Sequence, residues 1–290
     1  MQRFVLAIGI VLLGCHDTPT PPSWYYESQS DANNLYGVGN AKNLQTAKDN
    51  AITDMLSHIQ VSISSNSHLM QQYRDGVESS TMSQSIEKDI TKTTLSNVSY
   101  TTKRVGDEYF VRAQITKKDF ITQLQKTQKQ ALQTLQSLNL TCQDITLSQY
   151  NTLAQELNKA FGAKSYLDAL GETHAISLSP YMQILESNSP KPTIALVFET
   201  SLDSSWLKNY LQKELIKFYR LTTQSSQKIT ISFTMPTPTS IKLHATITDC
   251  NGNPTFVTQI SESLPTNTSL DTLGNRVGVL LYKKLLENIQ

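Results

Sequence analysis

The pattern of apolar and polar residues divides the chain into regions that each predict helices combined with strands. In the first region, residues 23–120, Leu35–Gly39 predicts a short strand that ends in a glycine turn. The residues that follow predict a helix over Ala41–His58, because their apolar members recur every three or four positions. That apolar face consists of Leu44, Ala47, Ala51, Met55 and Ile59.

Alternation of apolar and polar residues predicts the other strands of this first region. Ile59–Ile63 alternates over five residues and predicts a half-buried strand. Residues 98–115 predict a pair of strands joined by a turn at Gly106–Asp107. The sequence between these strands is mostly polar, and only Met82–Leu95 has the spacing of a helix. The region therefore predicts a mixture of helix and strand.

Helical spacing dominates the middle of the chain, residues 121–171. Two amphipathic helices are predicted, one with Phe120, Leu124, Ala131, Leu135 and Leu138, the other with Leu147, Tyr150, Leu153, Leu157 and Phe161. Tyr166–Leu170 predicts a short third helix. Residues 172–191 contain Pro180 and Pro190 but few apolar residues, and they predict a linker.

The last region, residues 192–290, predicts a second domain. Its elements are a strand at Thr193–Phe198, a helix from about Trp206 to Tyr219 capped by Asp203 or Ser204, strands at Ile229–Phe233, Ile241–Ile247 and Phe256–Ile260, and a helix from Leu270 to Ile289. Asn251–Asn253 predicts a hairpin turn, because Asn and Gly tolerate a positive φ. This order predicts helices on one face of a mainly antiparallel sheet. The predicted class is α+β, with two small antiparallel-sheet-plus-helix domains joined by a helical middle.

The N-terminus predicts a secretory signal. Residues 1–14 combine a basic start with an apolar run that is too short for a membrane span. The run ends in Leu12-Leu13-Gly14-Cys15, which resembles the bacterial lipobox. That resemblance implies that a diacylglyceryl group is attached to Cys15 and that cleavage makes Cys15 the first mature residue. The alternative is an ordinary signal peptide that happens to contain a cysteine.

The residues after Cys15 predict a tether. Residues 15–22 are rich in proline and are expected to be extended. His16, rather than an aspartate, follows the cysteine, so the enterobacterial signal for retention in the inner membrane is absent. We therefore expect a lipid anchor in the outer membrane.

Charge and cysteine content narrow the function further. The formal net charge is +1, and removal of Arg3 with the signal would lower it to 0. A neutral chain without a basic stripe does not predict nucleic-acid binding. In an oxidising compartment Cys142 and Cys250 could form a disulfide, and the alternative is two separate buried thiols.

The first region resembles the Lpp-twenty family of bacterial lipoproteins. The resemblance rests on Trp24, Gly37–Ala41, Ala47 and Ala51 at helical spacing, Ile59–Ile63 and the hairpin Gly106–Val111. It implies an α+β domain in which a sheet packs on a helix. It also implies a surface antigen or a lipoprotein of a flagellar outer-membrane ring or disk, and it supplies no catalytic residues. The element order of the last region is similar to lipoprotein activators of cell-wall synthases.

No pattern in the sequence predicts catalysis, a cofactor or a metal site. Gly37-x-Gly39 lacks the third glycine of a dinucleotide fingerprint and the later acidic residue. No histidine has the spacing of a zinc ligand, and His244 is expected on the solvent face of its strand. Asp107 and Glu108 fall in a turn, where carboxylates are usually solvated. Trp24, Tyr25 and Tyr26 could pack in the core or form a contact patch for a partner.

These observations favour a lipid-anchored envelope protein with a non-catalytic structural or protein-binding role, in an outer-membrane or flagellar assembly. Its expected partners are the membrane, through the N-terminal lipid, and other envelope proteins. The alternative is a lipoprotein that regulates a periplasmic cell-wall enzyme through residues 192–290. A hydrolase or a sugar-binding protein is a third hypothesis, which would require a deep pocket.

Overall fold

The computed structural model describes residues 20–26, 30–64, 95–172, 176–266 and 268–289. The chain divides into two compact units. The first unit comprises Met1–Leu124 and Ser165–Glu172, and the second comprises Gln125–Lys164 and Thr173–Gln290. The α+β class predicted from the sequence is confirmed, since both units contain helices and strands.

The first unit packs a three-stranded sheet against one long helix. Its elements are α1 (Ser23–Tyr26), β1 (Asn34–Ala41), α2 (Leu44–Ser64), β2 (Ser99–Val105), β3 (Glu108–Thr116) and the start of α3 (Lys117–Ser137). The strand order is β1-β3-β2 and both pairings are antiparallel. The predicted turn between β2 and β3 is confirmed, with Gly106 at φ 62°. Ala47, Ala51 and Met55 of α2 are buried, together with Val111 and Ala113 of β3.

The predicted strand at Ile59–Ile63 is wrong, because α2 continues as a helix to Ser64. Five residues of alternation are too few to define a strand when a helix already runs into them, since each added helical residue gains a hydrogen bond at little further cost. The predicted helix at Met82–Leu95 lies, apart from Leu95, outside the described residues.

The predicted glycine turn is also wrong, because Gly37 and Gly39 lie inside β1. Both glycines are buried and face α2. A Cβ atom added to Gly37 would lie 2.6 Å from Met55 Cβ, and one added to Gly39 would lie 2.5 Å from the carbonyl oxygen of Ala47. The two glycines therefore allow the helix backbone to approach the strand at a distance that any side chain would prevent.

The second unit begins with helices and continues as a sheet covered on one face. Its elements are the end of α3, α4 (Leu147–Ala169) as far as Lys164, α5 (Ser179–Ser187), β4 (Thr193–Phe198), α6 (Ser205–Leu215), β5 (Arg220–Leu221), β6 (Lys228–Thr237), β7 (Ser240–Thr248), β8 (Pro254–Ser263) and α7 (Leu270–Ile289), and the last turn of α4 belongs to the first unit. The strand order is β5-β4-β6-β7-β8. Apolar residues of α6 and α7 pack with alternate residues of the sheet in one core.

The second sheet is mixed rather than mainly antiparallel. β6, β7 and β8 pair antiparallel as predicted, but β4 runs parallel to both β5 and β6. The reason is the connection through α6. This helix carries the chain back to the end of the sheet at which β4 begins, so the next strands run in the same direction as β4. The predicted hairpin turn is confirmed, with Gly252 at φ 81°.

Two predictions about the helical middle need correction. Tyr166–Leu170 is not a separate helix, because α4 runs without a break to Ala169. The segment predicted as a linker contains α5, with a proline in its first turn. A proline is compatible with that position because the first amide groups of a helix have no partner within the helix.

Candidate functional site

One face of the sheet in the second unit carries a field of polar side chains. Ile229, Ile231 and Phe233 of β6 point into the core, so their neighbours along the strand point the opposite way. The residues on that outer face, here called the open face, are Thr230, Ser232, Thr234, Lys242, His244, Thr246, Val257, Gln259 and Ser261. Each is exposed or half-buried. The predicted solvent-facing position of His244 is confirmed.

The register of the strands arranges the open face in rows. Ser232, His244 and Gln259 form one row across β6, β7 and β8. Thr246 and Val257 lie beside one another in the next, where Val257 is 57% exposed. The His244 ring nitrogen Nε2 lies 3.1 Å from the Thr246 hydroxyl. The rows present hydrogen-bonding groups around one exposed apolar side chain.

The charge of the open face is positive. Lys242 belongs to it, and Lys228 points to the same side at the start of β6. The open face as defined above contains no carboxylate. Glu262 lies on the opposite side of β8, where its carboxylate is 3.1 Å from Arg276 Nε. An acidic or polar surface is the complement that this face would accept.

The outer edge of this sheet is β8. Within the described residues β8 pairs only with β7, so its other side offers backbone N–H and C=O groups. Pro254 begins the strand and lacks an amide hydrogen. Such an edge can accept an additional strand from a partner, and Val257 would contact a side chain of that strand.

A short segment between α3 and α4 is fastened to the sheet of the second unit. Cys142 forms a disulfide with Cys250 in the β7–β8 turn, with 5.8 Å between the Cα atoms. Two residues later, Asp144 accepts hydrogen bonds from the hydroxyls of Thr193, Ser225 and Ser226 and from the Ser226 amide, at 2.6–3.0 Å. We call residues 142–145 the strap.

The carboxylate of Asp144 is held in its charged form. Burial raises its pKa, but the hydrogen bonds from Thr193, Ser226 and Ser225 oppose that effect and leave the pKa below its usual value. Four donors occupy the carboxylate oxygens. This is the geometry of a structural anchor rather than that of a general acid.

Two buried side-chain amides, those of Asn188 and Gln227, hold the strap in place. Asn188 accepts a hydrogen bond from the Ile145 amide and donates one to the Gln143 carbonyl. Gln227 donates to the Ile145 carbonyl. Asn188 is 1% exposed and Gln227 is fully buried. Sequence reasoning missed both residues and Asp144, because single polar residues far apart along the chain carry no pattern.

The first unit has an aromatic cluster on the side of its sheet away from α2. Tyr25 meets Phe110 edge-on at 5.2 Å between ring centroids, and its hydroxyl donates to Asn40 Oδ1 at 3.1 Å. Burial is the main cause that raises the pKa of Tyr25, and the negative charge of Asp54 raises it further. The Arg112 guanidinium lies 5.7 Å from the ring centroid of Trp24. Tyr25 packs against Phe110, whereas Tyr26 is 70% exposed, and a contact patch for a partner stays a prediction.

Comparisons with known proteins bear on this first unit. Residues 22–116, about a third of the chain, match the family model described as LPP20 lipoprotein. These residues lie within the first unit, and we call residues 22–116 the LPP20 domain. A lipoprotein of this kind is a membrane-anchored protein of the cell envelope. No curated protein matches the chain.

Two solved structures are similar to the chain. The secreted protein HP1454 from Helicobacter pylori has a TM-score of 0.54 and 18% sequence identity, over 89% of this chain and 99% of that chain. This level of identity shows a shared fold alone. A minor lipoprotein from Acinetobacter baumannii has a TM-score of 0.25 and 13% identity, over 33% of this chain and 93% of its own.

The glycines of the LPP20 domain are not available to a nucleotide. Gly37 and Gly39 face the backbone of α2, which occupies the space that a phosphate would need. Asp107 forms an ion pair with Lys42 at 3.0 Å, and both side chains are exposed. Groups of three or more metal-binding side chains do not occur in the part of the chain that the structure describes.

The remaining site residues predicted from the sequence have different positions. Cys15 lies outside the described residues, as do His16, His68 and His174. His58 lies 3.8 Å from Asp54 on α2 and is half exposed. None of the described helices is long and apolar enough to cross a bilayer.

Proposed function

We propose that the chain is a lipoprotein anchored through Cys15 in the outer membrane, where it binds other envelope proteins and carries out no catalysis itself. The LPP20 match supports the envelope lipoprotein. The proposed role is that of a component of an outer-membrane or flagellar assembly.

The observation that carries the binding role is the open face with its adjoining edge. Lys228, Lys242 and His244 offer hydrogen-bond donors, and Val257 supplies an exposed apolar contact beside the unpaired side of β8. The strap fastens the β7–β8 turn, so this surface is held rigid before a partner arrives. A preorganised surface loses less entropy on binding.

Site-specific photocrosslinking in cells tests this proposal. A photoreactive residue at Val257 is expected to capture envelope-assembly proteins, identified by mass spectrometry. The matched control is Leu286, which is 39% exposed on α7, on the opposite side of the sheet from the open face. Equal capture at both positions, or none, would contradict the binding role. Capture of a cell-wall synthase at Val257 would favour the regulator alternative.

Fractionation tests the anchor separately. Cys15→Ala should move the protein out of the membrane fraction, because the acyl chains provide the membrane affinity. A variant that stays in the membrane fraction would count against the lipid anchor.

A further inference from the structure

The aromatic cluster of the LPP20 domain lies close to the proposed lipid anchor along the chain. Trp24 follows Cys15 by nine residues. A fully extended chain spans at most about 3.3–3.6 Å per residue, so nine residues reach about 30 Å. If Cys15 is lipidated as proposed above, α1 can never be farther than this from the bilayer surface.

The side chains nearest to the tether have the chemistry of a membrane interface. Tyr26 is 70% exposed, and Trp24 and Tyr25 are half-buried beside it in α1. The Arg112 guanidinium lies 5.7 Å from the ring centroids of both Trp24 and Tyr36. We call these five residues the aromatic patch. Trp and Tyr concentrate at the headgroup level of bilayers because their rings are apolar at one end and polar at the other.

The position of the patch on the sheet leaves it facing away from the core helix. Val111 and Ala113 of β3 are fully buried, and Arg112 between them points to the opposite side of the sheet. Tyr36 is on the same side in the neighbouring strand, because Gly37 next to it faces α2. The patch and α2 are therefore on opposite faces of one sheet.

The charges around the patch indicate how it would bind. Asp31 accepts a hydrogen bond from the Tyr36 hydroxyl at 3.4 Å, and Glu108 accepts one from Asn40 at 3.0 Å. These two acidic groups offset the charges of Arg112 and of Lys103, which pairs with Phe110 on the same side of the sheet. Electrostatic attraction to anionic lipid is therefore not the driving force for binding. The driving force is contact of the aromatic rings with the headgroups and the upper acyl chains.

We propose that the aromatic patch rests on the headgroup region of the bilayer that holds the Cys15 anchor. In cells, this contact between the aromatic patch and the bilayer depends on the lipid anchor at Cys15 that is proposed above. The short tether keeps the patch at a high effective concentration near the bilayer, so a contact too weak to recruit the free domain is sufficient once the chain is anchored. This contact fixes which face of the LPP20 domain points to the membrane and leaves the α2 face accessible.

Fluorescence quenching on vesicles tests the contact without relying on natural lipidation. The chain Cys15–Gln290 is coupled through the Cys15 thiol to a maleimide lipid, since Cys142 and Cys250 are joined in a disulfide. The chain has two tryptophans, so Trp206→Phe leaves Trp24 as the reporter. The vesicles are phosphatidylcholine, with or without bromine near the headgroup end of the acyl chains.

Brominated vesicles are expected to quench Trp24 at least about twice as strongly as they quench Trp206 in the Trp24→Phe protein, because Trp24 belongs to the aromatic patch, whereas Trp206 packs edge-on against Phe233. Raising the salt concentration should change this little. Tyr26→Ser should reduce the quenching of Trp24. The matched control is Tyr100→Ser, since Tyr100 is 39% exposed on the α2 side, 4.9 Å from Lys48 Nζ, and its loss should have no effect.

Equal quenching of Trp24 and Trp206 would overturn the proposal and would leave Tyr26 as a contact for a protein. Reduction by Tyr100→Ser as large as that by Tyr26→Ser would overturn it as well. Chemical coupling supplies the anchor here, so these outcomes do not depend on whether Cys15 is lipidated in cells. The fractionation of Cys15→Ala tests separately whether Cys15 carries the lipid anchor in cells.

Discussion

Removal of the disulfide between Cys142 and Cys250 is expected to destabilise the second unit by several kilocalories per mole. The perturbation is the double variant Cys142→Ser, Cys250→Ser. The two cysteines are 108 positions apart, and the bond ties the strap to the β7–β8 turn. The hydrogen bonds of Asp144 and Ile145 remain in the variant, so the folded arrangement itself should be preserved.

The magnitude follows from the length of the closed loop. For 108 residues the loss of chain entropy in the unfolded state corresponds to about 4.8 kcal/mol at 25 °C. Residual structure in real unfolded chains reduces this value, so a loss of about 3–4 kcal/mol is expected. With a denaturant dependence of about 2 kcal/mol per molar urea, the midpoint of unfolding should fall by about 1.5–2 M.

Urea unfolding followed by Trp206 fluorescence measures this effect. Trp206 meets Phe233 edge-on at 6.2 Å, so its emission reports the packing of α6 on the sheet. The measurement uses a Trp24→Phe background, in which Trp206 is the remaining tryptophan.

Reduction of the unmodified disulfide provides the control. A reductant should shift the parent protein to the midpoint of the double variant and leave the variant unchanged. A variant midpoint within about 0.2 M of the oxidised parent would refute the reasoning, since such a shift is close to the uncertainty of the method. It would mean that the unfolded state gains little freedom when the bond is absent.

Three further predictions concern single residues. Gly37→Ala should destabilise the first unit by about 2–4 kcal/mol, measured by urea unfolding with Trp24 as reporter, because the added methyl group meets the α2 backbone and lies 2.6 Å from Met55 Cβ. Gly274→Ala should cost less than Gly37→Ala in the same assay with Trp206, because the three atoms nearest to its methyl group belong to the side chain of Tyr210 rather than to backbone. Asp144 has a lowered pKa, so its contribution to stability is complete above the unfolded pKa of about 3.9 and is lost as the pH falls through the lower folded value. The difference in midpoint between the parent and Asp144→Asn should therefore be largest at pH 7 and become smaller as the pH falls below about 3.9, and a difference that does not change with pH would contradict this account.

The sequence predicted the elements of the first unit better than their contacts. Period-three and period-four spacing identified the buried face of α2 except at Leu44, which is exposed, because the rest of that face packs against a sheet. The spacing could not show the role of Gly37 and Gly39, because a glycine in a turn and a glycine under a helix look alike in one sequence. Two glycines on one face of a strand, followed by Ala47 and Ala51 one helical turn apart, are the signal that would have predicted close packing.

Long-range relationships limited the prediction for the second unit. Alternation predicted which residues of β6, β7 and β8 are buried, and with them the open face. It could not predict that β4 lies between β5 and β6, since strand order depends on connections rather than on local pattern. The strap could not be predicted for the same reason, because Asp144, Asn188 and Gln227 meet only after the chain has folded.

The disulfide also bears on the compartment in which the second unit is stable. Cys142 and Cys250 come from separate loops, and their bond closes a long loop of the chain. Disulfides persist in oxidising compartments outside the cytosol, whereas cytosolic thiols are kept reduced. In a reducing compartment this unit would lose the stabilisation of about 3–4 kcal/mol derived above, a large share of the 5–15 kcal/mol that is typical of a domain. The disulfide is therefore consistent with a location outside the reducing cytosol, on grounds that are independent of Cys15.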